Sequence, residues 1–161
     1  MIKCIIIDLD GTLVNTSALE ELKTQRRWRE IYDHLHLCTP YKKVVDALNT
    51  ARAAGIKVGI LTNSPSKYVD HVLKHFNISV DYVVAFHDVQ NHKPASDGVE
   101  KILKYFGLDC SEAVYLGDTD DDSTAASIAN VEFFAVDWGQ VSNIEKSHLG
   151  VSRLLKRIGQ S

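Results

Sequence analysis

Acidic residues recur in this chain at spacings that an ordinary surface does not require. Asp8-Leu9-Asp10-Gly11-Thr12-Leu13-Val14 follows directly on the apolar run Cys4–Ile7. Two carboxylates one residue apart at the end of a buried segment are costly unless something neutralises them. A divalent cation is the simplest neutraliser, and Gly11 permits the sharp exit the chain then needs. The same residues also read as a strand-ending turn, because Asp and Gly populate turns readily. A second acidic run, Gly117-Asp118-Thr119-Asp120-Asp121-Asp122, places four carboxylates in five residues. Hard oxygen ligands of this kind suit magnesium. A helix starting near Thr119 would also favour acids at its first turn. That bland account fits Asp120 and fits Asp118 poorly, since Asp118 follows directly on Gly117.

Two further segments carry groups suited to an anion. Leu61-Thr62-Asn63-Ser64-Pro65 combines a hydroxyl, an amide and free backbone N–H groups ahead of a Pro-started helix, a ready seat for phosphate. Ser64 serves equally as a simple N-cap. His87-Asp88-Val89-Gln90-Asn91-His92-Lys93-Pro94 sets a lysine just before another helical pattern, placed to aim an ammonium at an anion. A lysine in isolation is surface charge.

The elements that would position these groups are legible as alternating patterns. Strands are predicted at Ile2–Leu9, Ile56–Leu61, Tyr82–Phe86, Ala113–Leu116 and Val131–Val136. They are continuous apolar runs more than alternating ones, as expected when helices cover both faces of a parallel sheet. Between them Val44, Leu48 and Ala51 share a helix face. Val69, Val72, Leu73 and Phe76 repeat at i, i+3, i+4, i+7, as do Val99, Ile102, Leu103 and Phe106. Gly107 stops the second of these helices. Val151, Leu154, Leu155 and Ile158 predict a C-terminal helix, with Ser142 and Glu145 spaced as its capping box. Ser17–Leu37 reads as one extra helix, inserted between the first strand and a crossover helix near Pro40–Ala54. Its apolar face is Trp28, Ile31, Tyr32 and Leu35. The expected fold is a single α/β domain over residues 1–161, a Rossmann-like parallel sheet flanked by helices, with residues 15–39 as a small helical insertion after strand 1. All four motifs then fall at the carboxyl ends of strands, where open α/β sheets place their ligands.

With these motifs in this order, nearly the whole chain resembles the haloacid dehalogenase superfamily, in its phosphatase branch. The resemblance rests on Asp8-Leu9-Asp10-Gly11-Thr12-Leu13, Thr62-Asn63, Lys93-Pro94, and Gly117-Asp118 with Asp122. It implies an Mg2+-dependent phosphatase that hydrolyses phosphate monoesters through an aspartyl-phosphate on Asp8. Asp10 would protonate the leaving group and later activate water. Thr62 with the adjacent backbone would hold the phosphoryl oxygens, Asn63 and Gly11 joining that binding set. Lys93 would neutralise charge on the nucleophile and the phosphoryl group. Asp8, Asp118 and the main-chain carbonyl of Asp10 would hold the metal. Asp122 would orient its water shell or Lys93, with Asp121 a competitor for that role. The presence of Asp10 argues against a dehalogenase, and no lysine of the insert other than Lys23 is a candidate for the Schiff-base lysine of phosphonatases.

An insert of this kind usually acts as a cap, and this one is short. The site is therefore expected to be open, either accepting bulky phosphoesters beside small phosphorylated molecules or closed by a second subunit of a homo-oligomer. Arg26, Arg27 and Arg29 put positive charge on the insert, as phosphate-attracting groups or as a solvated face. His71 and His75 have the i, i+4 spacing of a metal pair without the glutamate of a zinc protease helix. His87 and His92 lie in the loop nearest the site, and Trp138 and Gly139 follow the last strand.

Composition narrows the rest. The chain has 161 residues, 45% hydrophobic and 24% charged, with a formal net charge of -3, so general nucleic-acid binding is not indicated. No apolar run approaches the ~20 residues of a membrane span, and Cys4, Cys38 and Cys110 form neither a disulfide framework nor a zinc spacing. A cytoplasmic location is expected. Two rivals stay open: a receiver-like or non-catalytic phosphate-binding regulatory domain, and a phosphotransferase of the same fold.

Overall fold

The computed structural model describes residues 1–159. In chain order the strands are β1 (Cys4–Ile7), β2 (Val14–Asn15), β3 (Thr39–Pro40), β4 (Lys57–Leu61), β5 (Tyr82–Val84), β6 (Ala113–Thr119) and β7 (Glu132–Gln140). The helices are α1 (Glu20–Thr24), α2 (Trp28–Asp33), α3 (Lys42–Ala53), α4 (Ser66–His75), α5 (Asp97–Phe106), α6 (Asp120–Ile128) and α7 (Val151–Gly159). Five strands form one parallel sheet in the order β5-β4-β1-β6-β7, flanked by helices as the Rossmann-like reading requires.

Alternation along β1 explains both cores. Ile5 and Ile7 face one side, with α3, α4 and α7 contributing Leu48, Val72 and Leu154. Cys4 and Ile6 face the other, where Ile102 of α5 and Ala125 of α6 pack. Because both faces are covered, β1 is buried at every position and shows no polar alternation. The chain runs outward from β1 through β4 to β5, then returns to β6 on the opposite side. Ligand crevices in open α/β sheets form at such a reversal, above the carboxyl ends of the central strands.

Two local expectations are corrected. Ser17–Leu37 is not one helix: α1 and α2 are separate short helices, flanked by 3-10 turns at Ser17–Leu19 and Leu35–Leu37. The break lies at Arg26, whose φ of 54° leaves the helical region. A straight helix of that length would run ~30 Å. The broken one folds back, so Leu19, Ile31 and Leu35 all reach the core beside α4. The predicted stripe survives within it, Trp28 packing on Tyr68 and Tyr32 stacking on His71 at 3.8 Å. The two-residue β2–β3 ladder, Val14 opposite Pro40 and Asn15 opposite Thr39, closes the base of the insert.

The Ser142–Glu145 capping box also does not form. The Ser142 backbone N–H and hydroxyl both donate to the Asp120 carboxylate, at 2.7 and 3.0 Å. The exposed acid at the start of α6 captures this loop, and α7 begins only at Val151, after Gly150. The three cysteines are free, with Cys4 and Cys38 buried. Among the described residues no helix is long and apolar enough to cross a membrane.

Candidate active site

β1 delivers Asp8 to the carboxyl edge of the sheet, where its backbone N–H donates to the Leu116 carbonyl of β6 at 3.1 Å. The chain then turns tightly, the Leu9 carbonyl accepting from the N–H groups of Thr12, Leu13 and Val14. Gly11 makes the turn possible twice over. Its φ is +79°, and a Cβ there would collide with the Asp118 Oδ2. The Gly11 carbonyl accepts from Trp138 Nε1 at 2.7 Å, and the Trp138 ring stacks on Tyr41 at 4.1 Å. Motif one is thus fastened to β7 itself: the strand runs on to Gln140, so Trp138 and Gly139 lie within it and do not follow it as the sequence suggests.

Asp8, Asp118 and Asp122 converge, each offering a carboxylate oxygen within 4.8 Å of the others. Lys93 enters this cluster with its side chain 7% exposed. Its ammonium donates to Asp8 Oδ1 at 2.9 Å, to Asp122 Oδ1 at 2.6 Å and to the Leu61 carbonyl at 3.4 Å. Asn63 holds the Lys93 backbone from both sides: its Oδ1 accepts from the Lys93 N–H and its Nδ2 donates to the Lys93 carbonyl, both at 3.2 Å. The neighbouring Thr62 is buried, and its Oγ1 accepts from the Ser64 N–H at 3.1 Å.

The acidic run separates into three fates. Asp120 goes to Ser142, Asp121 is exposed, and Asp122 is fully buried. Asp122 Oδ1 accepts from Tyr115 OH at 2.7 Å as well as from Lys93, while Oδ2 accepts from the N–H groups of Asp118 and Thr119 and from Thr119 Oγ1. Burial pushes its carboxyl up, but Lys93, Tyr115 and Thr119 more than offset this, so it stays below the usual carboxylate range. Gly117 leaves the room, since a Cβ there would sit 2.5 Å from Asp122 Cβ.

Asp8 and Asp118 are in the opposite condition. Burial first, then the neighbouring acids, push Asp8 well above its ordinary value despite Lys93. Burial also raises Asp118, whose Oδ1 accepts from Thr12 Oγ1 at 2.9 Å. Three carboxylates here face one ammonium. A divalent cation bound by Asp8 and Asp118 would close that deficit, and the all-oxygen donor set suits a hard ion. The residues present fit such a metal. Asp122, with its oxygens occupied, is better placed to anchor Lys93.

Asp10 sits one step away, ringed by donors: Thr16 Oγ1 at 2.6 Å, Tyr68 OH at 2.6 Å, Ser64 Oγ at 2.8 Å and Lys23 Nζ at 3.3 Å. Burial pushes it up, but Lys23 and the three hydroxyls together hold it below its ordinary value. Ser64 therefore spends its hydroxyl on Asp10 and caps no helix; the N-cap of α4 is Pro65. Lys23 in turn is raised: burial opposes its charge, and Asp10 with Glu20 outweighs burial. A lysine held protonated by a carboxylate is a poor Schiff-base nucleophile.

Other sequence candidates lie apart from this chemistry. His71 stacks on Tyr32, His75 packs edge-on against Phe76, and His92 stacks on Phe86, so none joins the acidic cluster. Arg27 is paired with Glu30 and Gln25, and Arg29 is exposed on α2. Sequence reasoning missed Thr12, Thr16, Tyr68 and Tyr115. Thr12 and Thr16 lay in plain view within and just after motif one. Tyr115 carried a signal too, because a phenol inside an apolar strand must find a partner for its hydroxyl.

The chain belongs to the haloacid dehalogenase-like hydrolase family, whose model matches residues 17–136. It is 30% identical over 127 residues to the pyrophosphatase PpaX of Bacillus cereus, a match covering 78% of this chain and 59% of that protein. The chain thus spans about three fifths of the curated relatives it matches. Solved structures share the fold. A predicted phosphoglycolate phosphatase from Haemophilus somnus superposes with a TM-score of 0.82 at 20% identity, over 98% of each chain. CbbY from Rhodobacter sphaeroides, crystallised with phosphate, gives 0.79 at 18% identity, over 96% of this chain and 99% of that one.

Proposed function

We propose that this protein is an Mg2+-dependent phosphatase working through a phosphoenzyme on Asp8. The observation that carries the reading is the placement of Lys93 Nζ between Asp8 and Asp122, with Asp118 facing Asp8. Asp8 Oδ attacks phosphorus in line with the scissile bond; the new O–P bond forms as the bond to the leaving oxygen breaks. Asp10 gives the leaving oxygen its proton, then takes one from water as that water attacks the aspartyl-phosphate and frees the Asp8 carboxylate. Lys93 and the Thr62 segment receive the phosphoryl oxygens, and Asn63 holds Lys93 in register. Mg2+ on Asp8, Asp118 and the Asp10 carbonyl would supply charge neutralisation for an anionic nucleophile meeting an anionic substrate. Asp10 accepts from four donors here, so to act as the acid it must first take up a proton from solvent and release some of them. The insert over residues 15–39 acts as the cap, and its two short helices leave room for bulky as well as small phosphorylated substrates.

The relationship to PpaX supports a second substrate class for the same site, the phosphoanhydride bond of pyrophosphate. Purified protein assayed with aryl phosphate and with pyrophosphate, with Mg2+ and with chelator, tests both. Turnover should require the metal and vanish in Asp8→Asn. Turnover surviving in Asp8→Asn removes the nucleophile. A stable phosphoprotein without turnover favours a receiver-like role. Product carrying no oxygen from isotopically labelled water favours transfer to another acceptor.

A further inference from the structure

Beside Asp10 the insert and the core line an open cleft of about 490 Å³. Lys23, Arg26 and Trp28 line it from the insert, and Asn63, Ser64 and Phe86 from the core. It adjoins the reaction site, since its lining residues Lys23 and Ser64 both bond Asp10. Its size falls within the range that encloses small organic ligands. The leaving group of a substrate seated over Asp8 would occupy it.

The charges lining this cavity differ in what they are free to do. Lys23 is committed to Asp10 and Glu20. Arg26 is exposed, and apart from the backbone N–H that donates to the Lys23 carbonyl at 3.0 Å it makes no ion pair or hydrogen bond among the described residues, so its guanidinium is uncommitted, unlike that of Arg27 next to it. Its backbone adds an independent observation. Among the described residues four non-glycine positions have positive φ, and the other three are Asn77, Asn130 and Asn143. Asparagine tolerates that region, whereas a long side chain there is uncommon and marks a position worth a functional explanation. Geometry alone would place Gly or Asn at position 26. A guanidinium stands there instead, at the rim of a cavity with aromatic walls.

We propose that Arg26 is a specificity-determining residue that grips a second anionic group carried by the leaving group, so that the preferred substrates are phosphate esters or anhydrides with an anionic leaving group. This rests on the phosphatase reading above. A guanidinium fork matches phosphate and carboxylate alike, and Trp28 and Phe86 bound the body between the two charges.

The test compares kcat/KM for pyrophosphate and for a carboxyalkyl phosphate, each divided by that for phenyl phosphate, in wild type, Arg26→Gly and Arg26→Gln. Glycine suits the left-handed backbone, so folding is retained. At least one ratio should fall about tenfold or more in both variants, and the arm that falls names the second anion as phosphate or carboxylate. Unchanged ratios in both arms overturn the proposal. Calorimetry with methylenediphosphonate against methylphosphonate, in Mg2+ buffer, reads the cavity without turnover. Wild type should bind the diphosphonate about tenfold more tightly, and Arg26→Gly should lose that preference. A wild type that hydrolyses nothing yet keeps an Arg26-dependent preference sinks the phosphatase reading and leaves the cavity assignment standing. Equal binding of the two, or none, excludes phosphate as the second anion and, with an unchanged carboxyalkyl phosphate ratio, sinks the cavity assignment.

Discussion

Lys93 Nζ lies 2.6 Å from Asp122 Oδ1 and 2.9 Å from Asp8 Oδ1, so one buried ammonium is shared between a residue with free ligand capacity and a residue with none. Asp122 is saturated by Tyr115, Thr119 and two backbone N–H groups. Its part is to fix where the lysine's charge sits, from a first turn of α6 that the buried β6 holds in place.

Asp122→Asn removes that anchor while keeping the volume. Breaking one partner of a buried ion pair costs about 3–5 kcal/mol. Because Asp8 still pairs with Lys93, the expected loss is at the lower end, about 3 kcal/mol in urea unfolding, with kcat reduced about a hundredfold or more. A variant as stable and as fast as wild type would show that Lys93 needs no anchor.

Three acids facing one ammonium should bind a divalent ion and be stabilised by it. At a hundredfold excess over Kd the gain is about 2.7 kcal/mol, or roughly 5–10 °C in Tm for a chain of this size. Differential scanning with and without Mg2+ measures it. Asp118→Asn should abolish the shift; a shift that persists in this variant would place the metal elsewhere.

Gly11→Ala meets two obstacles at once. A left-handed backbone costs an alanine about 1–2 kcal/mol, and its methyl group collides with the Asp118 carboxylate. Overpacking adds about 1–3 kcal/mol, so a loss near 3 kcal/mol is expected, together with a weaker Mg2+-induced shift in Tm. Gly107→Ala serves as the control: it carries a similar φ of 65°, but a Cβ there has no neighbour within 4 Å. Equal losses at the two positions would mean that Asp118 gives way freely.

A pH-dependent stability is expected at the opposite end of the sheet. Burial raises the Asp81 carboxyl, but the Val58 N–H at 2.8 Å and Arg52 outweigh burial and hold it below its ordinary value. The unfolded chain therefore binds that proton more readily. The stabilisation is complete above about pH 3.9 and is lost as pH falls through the folded value. Asp81→Asn should cost about 1–2 kcal/mol at pH 7, and the gap to wild type should narrow below pH 4. A gap that stays constant with pH would refute an ionic origin.

The sheet was legible because each of its strands is built around a short apolar run, a pattern that two-sided burial produces, although β6 and β7 extend past those runs into polar residues. Asp8, Lys93 and Asp118 were legible because carboxylates and a lysine at strand ends have few other reasons to converge. What escaped depends on contacts distant in sequence. Tyr68 meets Asp10 across 58 residues and Trp138 meets Gly11 across 127, and no local spacing encodes either. The insert was read as one helix because periodicity records which residues are apolar and is blind to a single residue turning left-handed. Ser142 and Glu145 misled for a related reason: a capping pattern does not reveal that Asp120 competes for the serine.

The ladder pairing Val14 with Pro40 and Asn15 with Thr39 has a consequence for how this scaffold can change. It works as a collar: the stretch between its two strands can be lengthened, shortened or replaced, provided the substitute covers the core where Leu19, Ile31 and Leu35 now pack, while the collar keeps β1 and α3 in their places. Grafting a different loop between Asn15 and Thr39 would delete Lys23 and Thr16 from the surroundings of Asp10 while leaving Asp8, Lys93, Asp118 and Asp122 untouched. New substrate preferences could then be tried on an intact reaction centre, one splice at a time.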